Sequence, residues 1–172
     1  ISPGTARLVG CCRGEFLVNG DSVLLVPAIA PGDSVAWLQV VTTADGATHD
    51  SIRLLRPGRD LVVAPSPDGR WLAAIATQPG SAGAMRILRR NGEQVDSIDA
   101  AGTVGAAAAW ADSGRGVLFA RQQSTDGDAW DLCFQGIDPA TGHRAGSIDS
   151  LLHHPLAAPV TFSVARNDCA LV

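Results

Sequence analysis

The chain has 172 residues, 46% hydrophobic and 17% charged, with a formal net charge of −4. That balance excludes a disordered chain, because enough apolar surface is present to outweigh the entropy of folding. The acidic charge argues against nucleic acid as a partner, since phosphate binding needs a basic surface. No apolar run approaches the roughly 18 residues of a membrane helix, so no membrane span is expected within the chain.

In chain order, Ile1 opens directly into "ISPG", and no signal-peptide pattern is visible. "GCCRG" at 10–14 precedes an apolar segment, then Asn19-Gly20 and the strand-like "SVLLVPAIA" at 22–30. A polar loop, "APGDS", leads to a further strand, a turn "TTADG" ending at Gly46, and "THDSIRLL" at 48–55. The second unit reads as strands at about 60–65, 70–77, 84–90 and 93–98, with "SPDG" before the second of them. In the third unit "AAAA" at 106–109 has helical propensity, but it occupies a first-strand position and is expected to be a strand. "DSGRGVLFA", the loop "QQSTDGD", a strand from Trp130, the turn "DPATG" and "RAGSIDSL" follow. After "LLHHPLAAP", read as a linker, "ARNDCALV" at 165–172 begins a fourth copy.

Two spacings make these copies a repeat. Ile52, Ile98 and Ile148 each stand six residues after a glycine: Gly46, Gly92 and Gly142. Upstream, "VNGDSVLLV", "PDGRWLAAI" and "DSGRGVLFA" align without gaps and place Gly20, Gly69 and Gly114 at one position, with Asn167 taking it in the fourth copy. Asp-Gly and Asn-Gly are strong hairpin signals, because glycine, and next to it asparagine, accepts positive φ. The links are short enough for antiparallel hairpins. The three isoleucines are expected at equivalent, largely buried positions in the last strand of each unit. Leu72–Ala76 is expected in a four-stranded antiparallel sheet, with Asp68-Gly69 in the turn before it.

A four-stranded unit of this length, with a turn before its second strand, is a propeller blade. The expected fold is all-β: a β-propeller of four-stranded antiparallel blades, about three full blades plus the start of a fourth. The whole chain, 1–172, forms a single segment, with units about 14–52, 60–98, 104–148 and an incomplete 157–172. "APSPDGRWLAAI" and "AAWADSGRGVLFA" resemble the repeats of TolB-like propellers, a relative of the WD-repeat type of blade. Trp130-Asp131 begins its strand rather than ending it and does not count as a WD signature. Such blades occur in periplasmic adaptor proteins, in gating domains of prolyl-oligopeptidase-type enzymes, and as sensor modules of bacterial kinases. The resemblance therefore implies a scaffold rather than an activity, and a periplasmic or extracytoplasmic setting.

The chemical motifs are weak. "GCCRG" fits a cysteine nucleophile elbow centred on Cys12, but that motif needs a helix after the nucleophile, and a strand pattern follows. "GSAG" at 80–83 reads as a hairpin loop. Asp126, Asp128 and Asp131 offer three carboxylates without the EF-hand spacing and read as a solvated loop. His153 and His154 are adjacent and cannot easily share a metal, and His49 and His143 are placed in outer strands at the exposed rim. Cys11, Cys12, Cys133 and Cys169 contain no C-x-x-C pair and read as structural thiols. No catalytic, cofactor-binding or metal-binding residue is nominated, and no cofactor is expected.

The expected function is a non-catalytic propeller scaffold for protein–protein interaction or ligand sensing. The alternative is an accessory propeller domain of a larger enzyme, such as a prolyl-oligopeptidase-type serine peptidase. Because three blades and part of a fourth do not close a ring, a protein partner or additional blades are expected at the open edges near Ile1 and Val172.

Overall fold

A computed structural model describes residues 12–16, 22–27, 35–42, 44–55, 60–77, 84–99, 108–122, 130–154, 162–164 and 169–171. Three antiparallel sheets of four strands follow one another along the chain. Blade 1 consists of β1 (Cys12–Phe16), β2 (Ser22–Pro27), β3 (Val35–Thr42) and β4 (Thr48–Leu55). Blade 2 consists of β5 (Asp60–Pro65), β6 (Trp71–Thr77), β7 (Ala84–Arg89) and β8 (Gln94–Asp99). Blade 3 consists of β9 (Ala108–Ala111), β10 (Gly116–Gln122), β11 (Trp130–Ile137) and β12 (Arg144–His154). A hairpin of β13 (Phe162–Val164) and β14 (Cys169–Leu171) begins a fourth unit. In each sheet the strands lie in sequence order, as hairpin after hairpin. Among the described residues there is no α-helix, and Ala108 and Ala109 lie in a strand.

The turn glycines explain where the strands stop. Gly46, Gly69, Gly92, Gly114 and Gly142 all have positive φ. The requirement is clearest at Gly92 and Gly142. A Cβ on Gly92 would collide with the carbonyl oxygen of Arg53 in blade 1, and one on Gly142 would sit 2.6 Å from the ring of Trp71 in blade 2. Each of these turns thus rests on the preceding blade, and a side chain there would push the sheets apart. Asp68 closes the turn before β6: its carboxylate accepts from Ser66 Oγ (2.7 Å) and from the backbone N–H of Arg70 (3.1 Å). Ser66 Oγ in turn accepts from the N–H of Trp71 at 3.0 Å. Leu72 to Ala76 therefore lie in the second strand of a four-stranded sheet, with Asp68-Gly69 in the turn before it.

The core lies between the blades. One cluster joins Ala36, Leu38, Val40, Ile52 and Leu54 of blade 1 to Val63, Leu72, Ala74 and Leu88 of blade 2. The other joins Ala64, Trp71, Ala73, Ile75, Met85, Ile87 and Ile98 of blade 2 to Trp110, Val117, Phe119, Cys133 and Ile137 of blade 3. Blade 2 is covered on both faces, which is why β6 reads "WLAAI" without polar alternation. Successive residues of a strand point to opposite faces, so Leu72 and Ala74 serve one interface, and Trp71, Ala73 and Ile75 the other. Burying one Leu or Ile in such a cluster stabilises by about 1.5–3 kcal/mol. The inner strands are also stitched by the indole N–H of Trp110, which donates to the carbonyl of Ala64 at 2.8 Å.

The three isoleucines are not all equivalent. Ile52 pairs with Leu38, Ile98 pairs with Met85, and both are buried on the face toward the following blade. Ile148 pairs with Gln135, is only partly buried, and packs back against the cluster shared with blade 2. The cause is the bulge after the turn. One residue is looped out in blade 1 (His49) and one in blade 2 (Val95), but two, Gly146 and Ser147, in blade 3. An offset of one residue exchanges the faces of a strand. Gly146, with φ +75, accommodates the extra residue.

Candidate functional site

Within each sheet the two ends differ. The turns joining first to second and third to fourth strands, such as 66–70, 90–93 and 138–143, lie at one end. They are short and internally hydrogen-bonded, as where Asp138 carboxylate oxygens accept from the N–H of Ala140 (2.9 Å) and from Thr141 Oγ1 (2.8 Å). The links from second to third strand, and from blade to blade, leave from the other end, which is called here the loop end.

At the loop end of blade 3 three polar side chains stand in one cross-strand row. Arg121 of β10 pairs in register with Asp131 of β11, which pairs with His153 of β12. His153 Nδ1 lies 3.0 Å from Asp131 Oδ1, and Arg121 Nη2 lies 3.7 Å from Asp131 Oδ2. The Asp131 side chain is 7% exposed, whereas His153 is 54% exposed. A buried carboxylate is costly unless paired and hydrogen-bonded, and Arg121 and His153 supply that pairing. A carboxylate on Nδ1 also fixes the orientation of an imidazole. The row can thus present an oriented histidine edge and an arginine to a molecule at the loop end.

Cys133 lies two residues further along β11, fully buried in the cluster between blades 2 and 3. Burial pushes its thiol pKa up, and the Asp131 charge adds to this, while Arg121 works against it. The net rise disfavours the thiolate, the nucleophilic form of a cysteine.

A second polar cluster joins the outer strands of blades 2 and 3. Asp96 Oδ2 accepts from the backbone N–H of Arg144 (2.9 Å) and from its Nε (3.3 Å), with His143 Nδ1 at 3.7 Å. Partial burial alone would raise the Asp96 pKa. The backbone N–H groups of Arg144 and Ser97 and the Arg144 guanidinium outweigh that and leave it lowered. This is a clasp between sheets rather than an open site.

Several expected placements need correction or restriction. His153 is not in a linker, because β12 continues to His154. His143 belongs to the turn before β12, although it is exposed as expected. Asp131 stands in a strand and is buried, not part of a solvated loop; Asp126 and Asp128 lie outside the described residues. Cys12 opens strand β1, so no helix follows it as an elbow requires. Cys11, the segment 80–83, Gly20, Asn167, Ile1 and Val172 lie outside the described residues, as do the side chains of His49, His154, Cys12 and Cys169. The Asp131–His153 pair has no signature in the sequence, since its members are brought together only by strand register.

No family model matches the chain, and no curated protein matches it in sequence. Solved structures do match in fold. Hydrazine synthase of Kuenenia stuttgartiensis aligns with a TM-score of 0.59 at 14% identity, over 88% of this chain and 46% of that one. The periplasmic gluconolactonase of Pseudomonas aeruginosa aligns with a TM-score of 0.56 at 19% identity, over 93% of this chain and 42% of that one. TolB of Acinetobacter baumannii aligns with a TM-score of 0.50 at 15% identity, over 80% of this chain and 33% of that one. These are β-propeller proteins, and the fold of this chain is that of a partial β-propeller, as its TolB-like repeats imply. The chain spans less than half the length of each of these proteins.

Proposed function

We propose that the chain is a section of a non-catalytic β-propeller scaffold that binds a ligand or a protein segment at its loop end. The observation that carries this reading is the buried Asp131 holding a half-exposed His153, with Arg121 beside it. An imidazole and a guanidinium in one row suit a molecule that offers hydrogen-bond acceptors, such as a carboxylate or a peptide carbonyl. At the turn end Asp68 and Asp138 spend their carboxylates closing their own turns, and Asp96, with Arg144 and His143, clasps two sheets together. The buried Cys133 thiol favours a structural over a nucleophilic role. Fold likeness adds only the scaffold, because one fold hosts many functions.

Thermal unfolding in the presence of small carboxylates and short peptides tests this. A molecule that binds only the folded state raises its stability in proportion to RT ln(1 + [L]/Kd). The expected result is a ligand-dependent rise in Tm that His153→Ala or Arg121→Ala removes and Ala140→Ser, at the turn end, does not. A rise indifferent to both loop-end substitutions, or turnover of a compound that depends on His153, contradicts the proposal.

A further inference from the structure

We propose that the face of blade 1 that carries Trp37 is a blade-packing surface, and that its occupant is a further four-stranded blade of the same polypeptide. Thr42, Arg89 and Asp138 each donate their N–H to the carbonyl that closes the third turn, and each accepts from the turn glycine. Counting back from them, Trp37, Ala84 and Cys133 are equivalent, as are Gln39, Arg86 and Gln135, and Val41, Leu88 and Ile137.

In blades 2 and 3 these positions face the preceding blade. Leu88 is buried in the cluster with blade 1, and Cys133 and Ile137 in the cluster with blade 2. In blade 1 the same positions are open. Trp37 is 53% exposed, Gln39 is exposed and Val41 is only partly covered. The turn glycines tell the same story independently. Gly92 and Gly142 lie against the preceding blade, whereas a Cβ on Gly46 would meet nothing within 4 Å among the described residues.

A surface used twice in the molecule as a blade interface thus recurs a third time without a covering blade among the described residues. The occupant's chemistry follows from what covers the other two copies. It should present aliphatic residues on alternate positions of its third strand, as Leu38 and Val40 or Met85 and Ile87 do, and an isoleucine in its fourth, as Ile52 and Ile98 do. A blade of the same polypeptide is favoured over a second copy for two reasons. Successive blades here are joined by the short links 56–59 and 100–107. The similar propeller proteins are also more than twice as long as the part matched.

Hydroxyl-radical footprinting of the natural polypeptide, read by mass spectrometry at each tryptophan, tests the proposal. Trp71, 5% exposed in the core, serves as the protected reference. The expected result is loss of Trp37 labelling to the level of Trp71, unchanged on dilution, and a lowered Tm for Trp37→Arg. Trp37 labelled as fast as a surface residue, with Trp37→Arg leaving Tm unchanged, overturns it. Protection that disappears on dilution also overturns it, in favour of a second copy.

Discussion

Gly142, in the last turn of blade 3, lies against the indole ring of Trp71 in blade 2, whose N–H donates to the carbonyl of Pro139 in that same turn at 3.1 Å. The turn thus clasps the neighbouring sheet through one ring. The Arg89 guanidinium stands 5.8 Å from the centre of the same ring.

The first prediction follows from that contact. Gly142→Ala should destabilise the protein by about 2–4 kcal/mol, combining the left-handed backbone penalty with overpacking against the ring. Gly146→Ala is the control. It shares a positive φ, but a Cβ there would meet nothing within 4 Å among the described residues, so it should cost only about 1–2 kcal/mol. Urea denaturation of the two variants measures the difference, and equal costs would show that the Trp71 contact contributes nothing.

A second prediction concerns the isoleucines. Ile52→Ala and Ile98→Ala should each cost about 2–5 kcal/mol, the range for truncation in a packed core. Ile148→Ala should cost clearly less, because its side chain is only partly buried. Chemical denaturation of the three variants decides it; equal losses would mean that the face exchange at Gly146 does not occur.

These cases mark how far the sequence can be read. The turns and strands were legible because a positive-φ glycine and the side-chain oxygen of a neighbouring Asp, Asn or Ser act locally, as at Ser66, Asp68 and Gly69. The six-residue spacing to Ile148 is the same as to Ile52 and Ile98, yet two residues bulge out in blade 3 rather than one. Spacing along a strand does not reveal how many residues are left unpaired. The one local hint was Gly146. The Arg121–Asp131–His153 row depends on a further register shift between Leu132 and Cys133, which nothing in the local sequence announces.

The third prediction is a pH dependence. Asp96 has a folded-state pKa below its ordinary value, so the unfolded chain binds its proton more tightly. Its contribution to stability is fully present above the unfolded carboxyl value, about 3.9, and is lost as pH falls through the lower folded value. Denaturation midpoints between neutral pH and pH 2 should therefore converge for wild type and Asp96→Asn at the acid end. A constant difference across that range would assign the effect to packing.

Cys133 gives the fourth. Buried and with a raised pKa, it should resist iodoacetamide at neutral pH in the native protein and react once urea unfolds it. Cys133→Ser should cost about 1–3 kcal/mol, the penalty for an inadequately paired polar group in an apolar cluster. Rapid native labelling at Cys133 would contradict its placement between blades 2 and 3.

The most direct test of the central claim, a propeller scaffold that binds at its loop end, is chemical-shift mapping by NMR. The protein would be titrated with whichever carboxylate or peptide raises its Tm. The account predicts that shifts concentrate at Arg121, Asp131 and His153 and spare the turn residues Gly69, Gly92 and Gly142. Shifts concentrated at the turn end, or spread evenly over both ends, would contradict it.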